Sequence, residues 1–356
     1  MAYTNIDDPS AYFQTILWTG NSTDSRALTN DGNSDLQPDW VWLKNRDLGY
    51  NHFLQDSSRG NTKVLNSDST AAESTFTNMV ESFDTNGFTV GFDGSQVPNF
   101  NGNTFVGWQW KANGGTTSSN TDGTVTTTTQ VNSDAGFSIV TWAGGGTGTL
   151  GHGLGVTPDM WIIKNRDYAV SWTVGFSDSN MIGGRSKYLL LNSTSAISSY
   201  NNLWGTSDAQ ISSTTIGAAG DRSINISGDD YVGYFFKAKQ GYSKFGKYVG
   251  NGSNTDGSFI YTGFRPAMII AKRTDASAHN WFIWDTKRAP SNLVQAVLYA
   301  DATSAEGSLF QIDILSNGFK HYNNYGSTNV SGGTYIYMAF AENPFVTSTG
   351  IPTTAR

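Results

Sequence analysis

The chain has 356 residues and a formal net charge of −7, with 13% aromatic and only 14% charged residues. It contains no cysteine, which excludes a disulfide framework and a thiolate metal site. The charged fraction lies well below the roughly 25% typical of soluble domains, and no basic block is present, which disfavours an ordinary helical enzyme and a nucleic-acid-binding protein. Abundant Gly, Ser, Thr and Asn indicate an all-β protein with many turns.

The first eight residues are polar and acidic, so we expect no secretory signal. No stretch of the sequence reaches the ~18 apolar residues that a membrane helix needs. We therefore expect synthesis in the cytoplasm and no membrane insertion.

An N-terminal arm, residues 1–37, contains a predicted strand at 12–18 and leads to Pro38-Asp-Trp-Val-Trp-Leu-Lys-Asn-Arg-Asp47. The run after the proline is apolar on both alternating faces, which predicts a strand covered on both sides. Proline suits the first position because it cannot donate to a strand ladder. Further strands are predicted at 52–56, 62–66, 87–91 and 104–112, and a helix at 69–83.

The same motif returns after a linker at 113–123, as Pro158-Asp-Met-Trp-Ile-Ile-Lys-Asn-Arg-Asp167. The glycine-rich stretch 144–155 before it lacks the G-x-x-x-x-G-K-[ST] pattern of a phosphate loop, so a turn-rich hairpin is the better interpretation. Strands are predicted at 124–131, 136–142, 160–164, 171–176, 187–192 and 230–238.

The third copy of the motif reads Pro266-Ala-Met-Ile-Ile-Ala-Lys-Arg-Thr-Asp275. Strands are predicted at 268–272, 281–285, 317–320 and 334–342, before a tail at 343–356. Spacings of more than 100 residues indicate copies of domain size rather than a solenoid. We predict three tandem, diverged antiparallel β-sandwich units of lectin-like or jelly-roll-like type. Their expected bounds are 1–112 (arm and first unit), 113–239 (linker and second unit) and 240–356 (third unit and tail).

No catalytic pattern stands out in the sequence. The four histidines have no metal-ligand spacing, Gly-x-Ser-x-Gly is absent, and no EF-hand loop occurs, although Asp-rich turns leave calcium binding open. We expect no catalytic residue, no metal site and no cofactor. Asp56-x-x-Arg59 and Asp285-x-x-Arg288 recur in two copies, either as carboxylates tuned by arginine or as structural charge pairs; their recurrence favours the structural interpretation.

Two loops that do not repeat combine aromatic and amide side chains, which suits sugars because sugars present C–H faces and hydroxyl groups. The alternative is that these loops are hairpin tips that shield a core. Loops on a rigid scaffold are a common place for binding. The predicted glycan contacts are Tyr200, Asn202 and Trp204 in the first loop and Tyr322, Asn324 and Tyr325 in the second.

Several long motifs resemble virion structural proteins of marine tailed bacteriophages. They include Phe105-Val-Gly-Trp-Gln-Trp-Lys-Ala-Asn-Gly-Gly115 and residues 1–15, 31–38, 151–159, 239–246 and 332–342. The resemblance covers essentially the whole chain and implies a virion component of tail or tail-fibre type, with lectin-like β-sandwich units. It carries no catalytic motif with it.

The first hypothesis is therefore a tail-associated phage structural protein that contributes to recognition of host-surface glycan and to virion assembly. Its expected partners are other virion proteins, further copies of itself, with a trimer as the first guess, and the host glycan. A capsid-decorating or purely scaffolding virion protein is the second hypothesis. A polysaccharide depolymerase is the third.

Overall fold

The structure is a computed structural model that describes residues 2–92, 94, 98–182 and 184–352; the last four residues of the predicted tail lie outside it. Nearly all regular structure is extended, and the paired strands run antiparallel. Among the described residues, no helix is long and apolar enough to cross a bilayer. Within the ranges that the structure describes, helical turns occur at Pro9–Ala11, α1 (Ser179–Ile182) and Asp208–Gln210.

The first third of the chain forms a four-stranded sheet, sheet A, in the order β1-β9-β3-β4. A smaller sheet, β2-β8-β7, and a pair, β5-β6, accompany it. The strands are β1 (Phe13–Thr19), β2 (Arg26–Thr29), β3 (Trp40–Asn45), β4 (Phe53–Asp56), β5 (Lys63–Val64), β6 (Ser74–Thr75), β7 (Val80–Asp84), β8 (Gly87–Val90) and β9 (Thr104–Trp110).

The middle third forms sheet B, with eight strands in the order β10-β11-β12-β19-β14-β15-β16-β17, and a small sheet β13-β18. The strands are β10 (Ser118–Asn120), β11 (Thr127–Asn132), β12 (Phe137–Ala143), β13 (Gly148–Gly151), β14 (Met160–Asn165), β15 (Thr173–Phe176), β16 (Lys187–Leu190), β17 (Ser198–Ser199), β18 (Thr215–Ala218) and β19 (Asp230–Phe236).

The last third forms sheet C, in the order β20-β27-β22-β23-β24, and a small sheet β21-β26-β25. The strands are β20 (Ser243–Val249), β21 (Phe259–Tyr261), β22 (Phe264–Arg273), β23 (Trp281–Asp285), β24 (Leu298–Tyr299), β25 (Ile312–Leu315), β26 (Gly318–His321) and β27 (Thr334–Pro344). In all three large sheets, the strand of the proline motif (β3, β14, β22) pairs with a later strand of the same third (β9, β19, β27).

The inner faces of sheets A, B and C meet in one central hydrophobic core. Stacked rings join sheet A to sheet B, where the centroids of Trp40 and Tyr234 lie 4.2 Å apart. The ring centroid of Phe340 in sheet C lies 5.1 Å from that of Phe13 in sheet A and 6.0 Å from that of Phe236 in sheet B. The three large sheets therefore bury their inner faces on one another.

The outer face of each large sheet packs against its own small sheet, which makes a sandwich. Successive side chains of a strand point to opposite faces. Trp40 and Trp42 of β3 therefore reach the central core, whereas Val41 and Leu43 reach the core under β2-β8-β7. This explains why the motif is apolar on both alternating faces. The predicted all-β fold with antiparallel, sandwich-like layers is confirmed. The three tandem units of lectin-like or jelly-roll-like type, and their bounds, stay a prediction.

The helix predicted at 69–83 is wrong: the chain forms β6 and β7 there. Long-range partners take the backbone groups that a helix would use. The amide of Glu73 donates to Arg166 O at 2.7 Å, and the amide of Val80 donates to the side chain of Gln55 at 3.1 Å. Tertiary context thus overrides a weak helix propensity.

Candidate functional site

The first predicted glycan loop follows β17 and is held by main-chain hydrogen bonds. The amide of Tyr200 donates to Ser186 O at 2.8 Å, and Asn202 adopts a positive φ of 56° that turns the chain back. Tyr200 is 44% exposed, so its ring is accessible from solvent.

Trp204 is not accessible, and its predicted role as a glycan contact is wrong. Its side chain is fully buried and packs edge-on against Trp161, with ring centroids 5.1 Å apart. Its indole Nε1 donates to Lys187 O at 2.9 Å. The tryptophan therefore holds the loop against the core under sheet B, and no ring face is free for a sugar.

The second predicted loop follows β26 and keeps two of its aromatic rings near the surface. Tyr325 is 48% exposed and contacts Phe310 edge-on, with centroids 5.0 Å apart. Tyr322 is half-buried, with the Lys320 ammonium 5.6 Å from its ring centroid, and Asn324 is exposed. The loop is fixed by the amide of Tyr322, which donates to Gln311 O at 3.0 Å.

The Asp56–Arg59 pair joins sheet A to sheet B. The two side chains are fully buried, with Nε of Arg59 2.5 Å from Oδ2 of Asp56, and Arg59 also reaches Glu73 at 2.8 Å. From sheet B, the hydroxyl of Tyr234 donates to Asp56 at 2.7 Å, and Arg166 holds Glu73 through two nitrogens at 2.8 and 2.9 Å. The pair is thus part of a junction between two sheets.

Sheet C meets sheet A in the same way. Arg288 lies 2.5 Å from Asp285 and 3.0 Å from Glu306. From sheet A, the indole of Trp108 donates to Asp285 at 3.1 Å, and Arg46 forms a bidentate pair with Glu306 at 2.7 and 3.0 Å.

The junction between sheets B and C has no such network among the described residues. Phe176 occupies the strand position of Asp56 and Asp285, since all three pair with the residue two places after the motif proline. Met338 takes the register position of Trp108 and Tyr234. The main-chain amide of Ile197 donates to Thr274 O at 3.0 Å. The amides of Glu73 and Glu306 donate in the same way to the main-chain oxygens of Arg166 and Arg46, so Ile197 takes the place of these glutamates. At the junction between sheets B and C, apolar side chains thus stand at all three positions that hold the aspartate, the aromatic donor and the glutamate in the other two junctions.

The lysine of each proline motif is buried and binds main-chain carbonyl groups, in two of the three cases across a junction. Lys44 donates to Thr303 O and Lys164 to Thr70 O, both at 3.0 Å, and Lys272 donates to His279 O within its own third. Burial lowers the pKa of each lysine to about 8. These lysines therefore fix loops to the sheets.

Asp56 and Asp285, the two aspartates considered above as possible catalytic carboxylates, are inaccessible to a polymer. Asp56 and Asp285 have no exposed surface and are held by arginine. Burial lowers the pKa of His152 to about 4 and that of His321 to about 3, so both are neutral near pH 7. Within the ranges that the structure covers, His, Cys, Asp and Glu side chains do not gather into a metal site.

A cleft of about 340 Å³ between sheets A and C was not anticipated from the sequence. It lies among β1, β22 and β27 and the turn after β23, and Thr15, Arg265 and Glu342 are among its lining residues. A visible signal existed: the third motif begins Pro266-Ala267, where the other two begin with Pro-Asp.

A family model described as a domain of unknown function (DUF7483) matches residues 8–344. The chain belongs to this family. The match spans all three large sheets, so the shared core and both charged junctions fall inside it. No curated protein matches the chain, and no solved structure does.

Proposed function

We propose that this chain is a structural protein of a tailed-bacteriophage virion, associated with the tail, that contributes to recognition of host-surface glycan and to virion assembly. Other virion proteins and further copies of the chain are its proposed partners, with a closed trimer as the first arrangement to test. The resemblance of its long motifs to phage virion proteins supports the virion setting.

The observation that carries the recognition role is the exposure of Tyr200 and Tyr325 on loops fixed to the sandwiches. Tyrosine offers a rigid, amphipathic surface at a small conformational-entropy cost, which suits it to recognition. An asparagine lies within two positions of each exposed tyrosine in the sequence, Asn202 or Asn324, and its amide can bond to hydroxyl groups. Ring and amide together suit the C–H face and the hydroxyls of a sugar.

The inaccessibility of Asp56 and Asp285 favours this binding role over a polysaccharide depolymerase. Glycoside hydrolysis needs two carboxyl groups on either side of the scissile bond. Both aspartates are committed to arginine, and each also accepts a hydrogen bond from an aromatic residue of the neighbouring sheet. Their arrangement fits a structural role.

The first experiment measures binding of the purified chain to envelope fractions of marine bacteria, cyanobacteria among them. The triple variant Tyr200→Ala, Tyr322→Ala, Tyr325→Ala is compared with Tyr168→Ala, a tyrosine of similar exposure (47%) in another loop. Saturable binding that the triple variant loses and the control keeps supports the proposal. Unchanged binding of the triple variant refutes the loop assignment.

Two further readouts separate the alternatives. Release of soluble sugar during the binding assay would support a depolymerase instead. Immunogold labelling of virions that carry the protein locates it, and label over the capsid faces would support the capsid-decorating alternative.

A further inference from the structure

We propose that the cleft between sheets A and C is a binding site for a neutral sugar unit. Its volume of about 340 Å³ lies within the range of small-molecule sites, about 300–1,000 Å³, and such sites favour the boundaries between packed layers or domains. One wall comes from β1 and the turn at 31–33, and the other from β22, β27 and the turn after β23.

Among the described residues, two buried polar atoms that line this cleft have no partner, Oγ1 of Thr15 and Nε of Arg265. The buried Oε2 of Glu342 makes no hydrogen bond beyond its ion pair with Nη2 of Arg265 at 3.3 Å. Buried polar groups in folded proteins are nearly always paired, so two unpaired atoms and one weakly paired atom at one cleft call for a partner that comes from outside the chain. The three atoms are a hydroxyl, a donor and an acceptor. Together they offer a ligand both kinds of hydrogen bond.

The charges of the cleft balance, which indicates a neutral ligand. Arg265 lies 3.3 Å from Glu342, and Lys287 binds Asp31 with its ammonium 2.7 and 2.8 Å from the two carboxylate oxygens. An anionic or cationic ligand would compete with an existing ion pair. A sugar hydroxyl can donate to Glu342 and accept from Arg265 at once, and Pro290 adds an apolar surface for its C–H face.

The same position in the other sheets shows that the unpaired threonine hydroxyl is not a requirement of the fold. Thr15 pairs with Trp108 in sheet A, and the matching residues of sheets B and C are Ile139 and Phe245, both apolar. A buried threonine hydroxyl without a partner costs stability where isoleucine or phenylalanine would not. Its presence at this one position fits a role in binding.

The corresponding junction between sheets A and B is filled by the protein itself. There Asp39 accepts from the amides of Ala112, Gly114 and Gly115 at 2.7, 2.9 and 2.8 Å. Gln130 of the additional strand β11 donates to Ser57 and Ser58 nearby. In sheet C, Ala267 stands in the place of Asp39, and β22 and β27 stay paired as far as Phe264 and Pro344. Loss of one carboxylate thus leaves the cleft open and sets Arg265 beside Glu342.

This inference shares its ligand class with the proposed function but depends on other residues. The test titrates the purified full chain with glucose, galactose, mannose and N-acetylglucosamine, followed by ligand-observed and isotope-edited NMR, with glycine and inorganic phosphate as charged comparators. The decisive variant is Thr15→Val, with Glu342→Gln as the second. Thr127→Val is the matched control because its buried hydroxyl donates to Gly151 O at 2.8 Å, in sheet B.

We expect at least one neutral sugar to bind, and Thr15→Val and Glu342→Gln to weaken its binding by about tenfold or more. Thr15→Val should keep or raise the melting temperature because the removed hydroxyl has no partner, whereas Thr127→Val should lower the melting temperature and leave sugar binding intact. Binding that Thr15→Val does not change, binding of phosphate or glycine alone, or no binding of any of the four sugars would overturn the inference. If Thr15→Val and Glu342→Gln no longer bind free sugar but still bind the envelope fraction, the cleft and the tyrosine loops are separate sites. If the natural chain binds free sugar in the cleft but does not bind the envelope fraction, only the proposed function is refuted.

Discussion

The hydroxyl of Tyr234 donates to the carboxylate of Asp56 across 2.7 Å, although 178 residues separate the two in the chain. Trp108 and Asp285 repeat this relationship at 3.1 Å between the other pair of sheets, 177 residues apart. In both cases an aromatic residue of the central core donates to an aspartate that is already paired with arginine. The core and the charged junctions therefore stabilise the same arrangement of sheets.

Removal of the tyrosine hydroxyl tests this coupling. We expect Tyr234→Phe to lower the free energy of unfolding by about 1–3 kcal/mol, because Asp56 loses one hydrogen bond in a fully buried site. Urea denaturation measures the change, and Tyr200→Phe is the control because its ring is exposed. Equal stability of the Tyr234→Phe variant and the natural chain would show that the bond contributes nothing.

Because the junction between sheets B and C is apolar, a charge introduced there should lower the free energy of unfolding by more than the loss of one hydrogen bond does. Phe176→Asp would bury a carboxylate where no arginine corresponds to Arg59, which is expected to cost about 3–5 kcal/mol. Phe176→Leu keeps the site apolar but removes some side-chain volume, and should cost less, about 1–2 kcal/mol. Thermal unfolding distinguishes them; similar melting temperatures for the two variants would mean that Phe176→Asp finds a partner.

Much of the scaffold could be predicted from the sequence. The proline motif identified β3, β14 and β22 because residues buried on both faces give a continuous apolar run. The pairing of those strands with β9, β19 and β27 could not be derived, since the paired residues lie at least 60 positions apart in the chain. The sequence did show that Asp-x-x-Arg is missing from the middle third, but only the register shows that Phe176, Ile197 and Met338 replace the network together.

The candidate sites were less accessible to sequence reasoning. Trp204 and Tyr200 belong to one aromatic loop, and composition cannot tell which ring turns inward. The cleft depends on Thr15, Arg265 and Glu342, which come together only when sheet A packs against sheet C. In the sequence, only the change from Pro-Asp to Pro266-Ala267 pointed towards the cleft. That change could be interpreted only once the structure showed which amides Asp39 binds in sheet A.

The charged junctions predict a loss of stability in acid. Burial tends to raise the pKa of Glu73, but its bonds to Arg166 and Arg59 outweigh this, so the pKa falls below its ordinary value of 4.5; Glu306 behaves alike with Arg46 and Arg288. A carboxyl with a lowered pKa in the folded state contributes stability above its unfolded pKa and loses it as pH falls through the folded pKa. Unfolding free energy should therefore decline below about pH 4.5.

The double variant Glu73→Gln, Glu306→Gln should flatten this decline and lower stability at pH 7 by about 2 kcal/mol for each site. Melting temperature as a function of pH measures both effects. Asp208→Asn serves as the control, because its ion pair with Arg185 leaves Asp208 94% exposed. An acid limb that keeps its slope in the double variant would assign the decline to other groups.

The division of the first loop into a structural tryptophan and an exposed tyrosine gives the last prediction. Trp204→Ala removes a fully buried ring and its bond to Lys187 O, so the free energy of unfolding should fall by about 3–5 kcal/mol. Tyr200→Ala and Tyr325→Ala should each change it by no more than about 0.5 kcal/mol, as expected for exposed positions. Chemical denaturation of the three variants, measured beside their envelope binding, separates folding from recognition. Trp204→Phe refines the comparison, because it keeps an aromatic ring but lacks the indole donor. If its free energy of unfolding is close to that of the natural chain, packing dominates over the hydrogen bond. If its envelope binding is restored as well, the tryptophan acts only by holding Tyr200 in place.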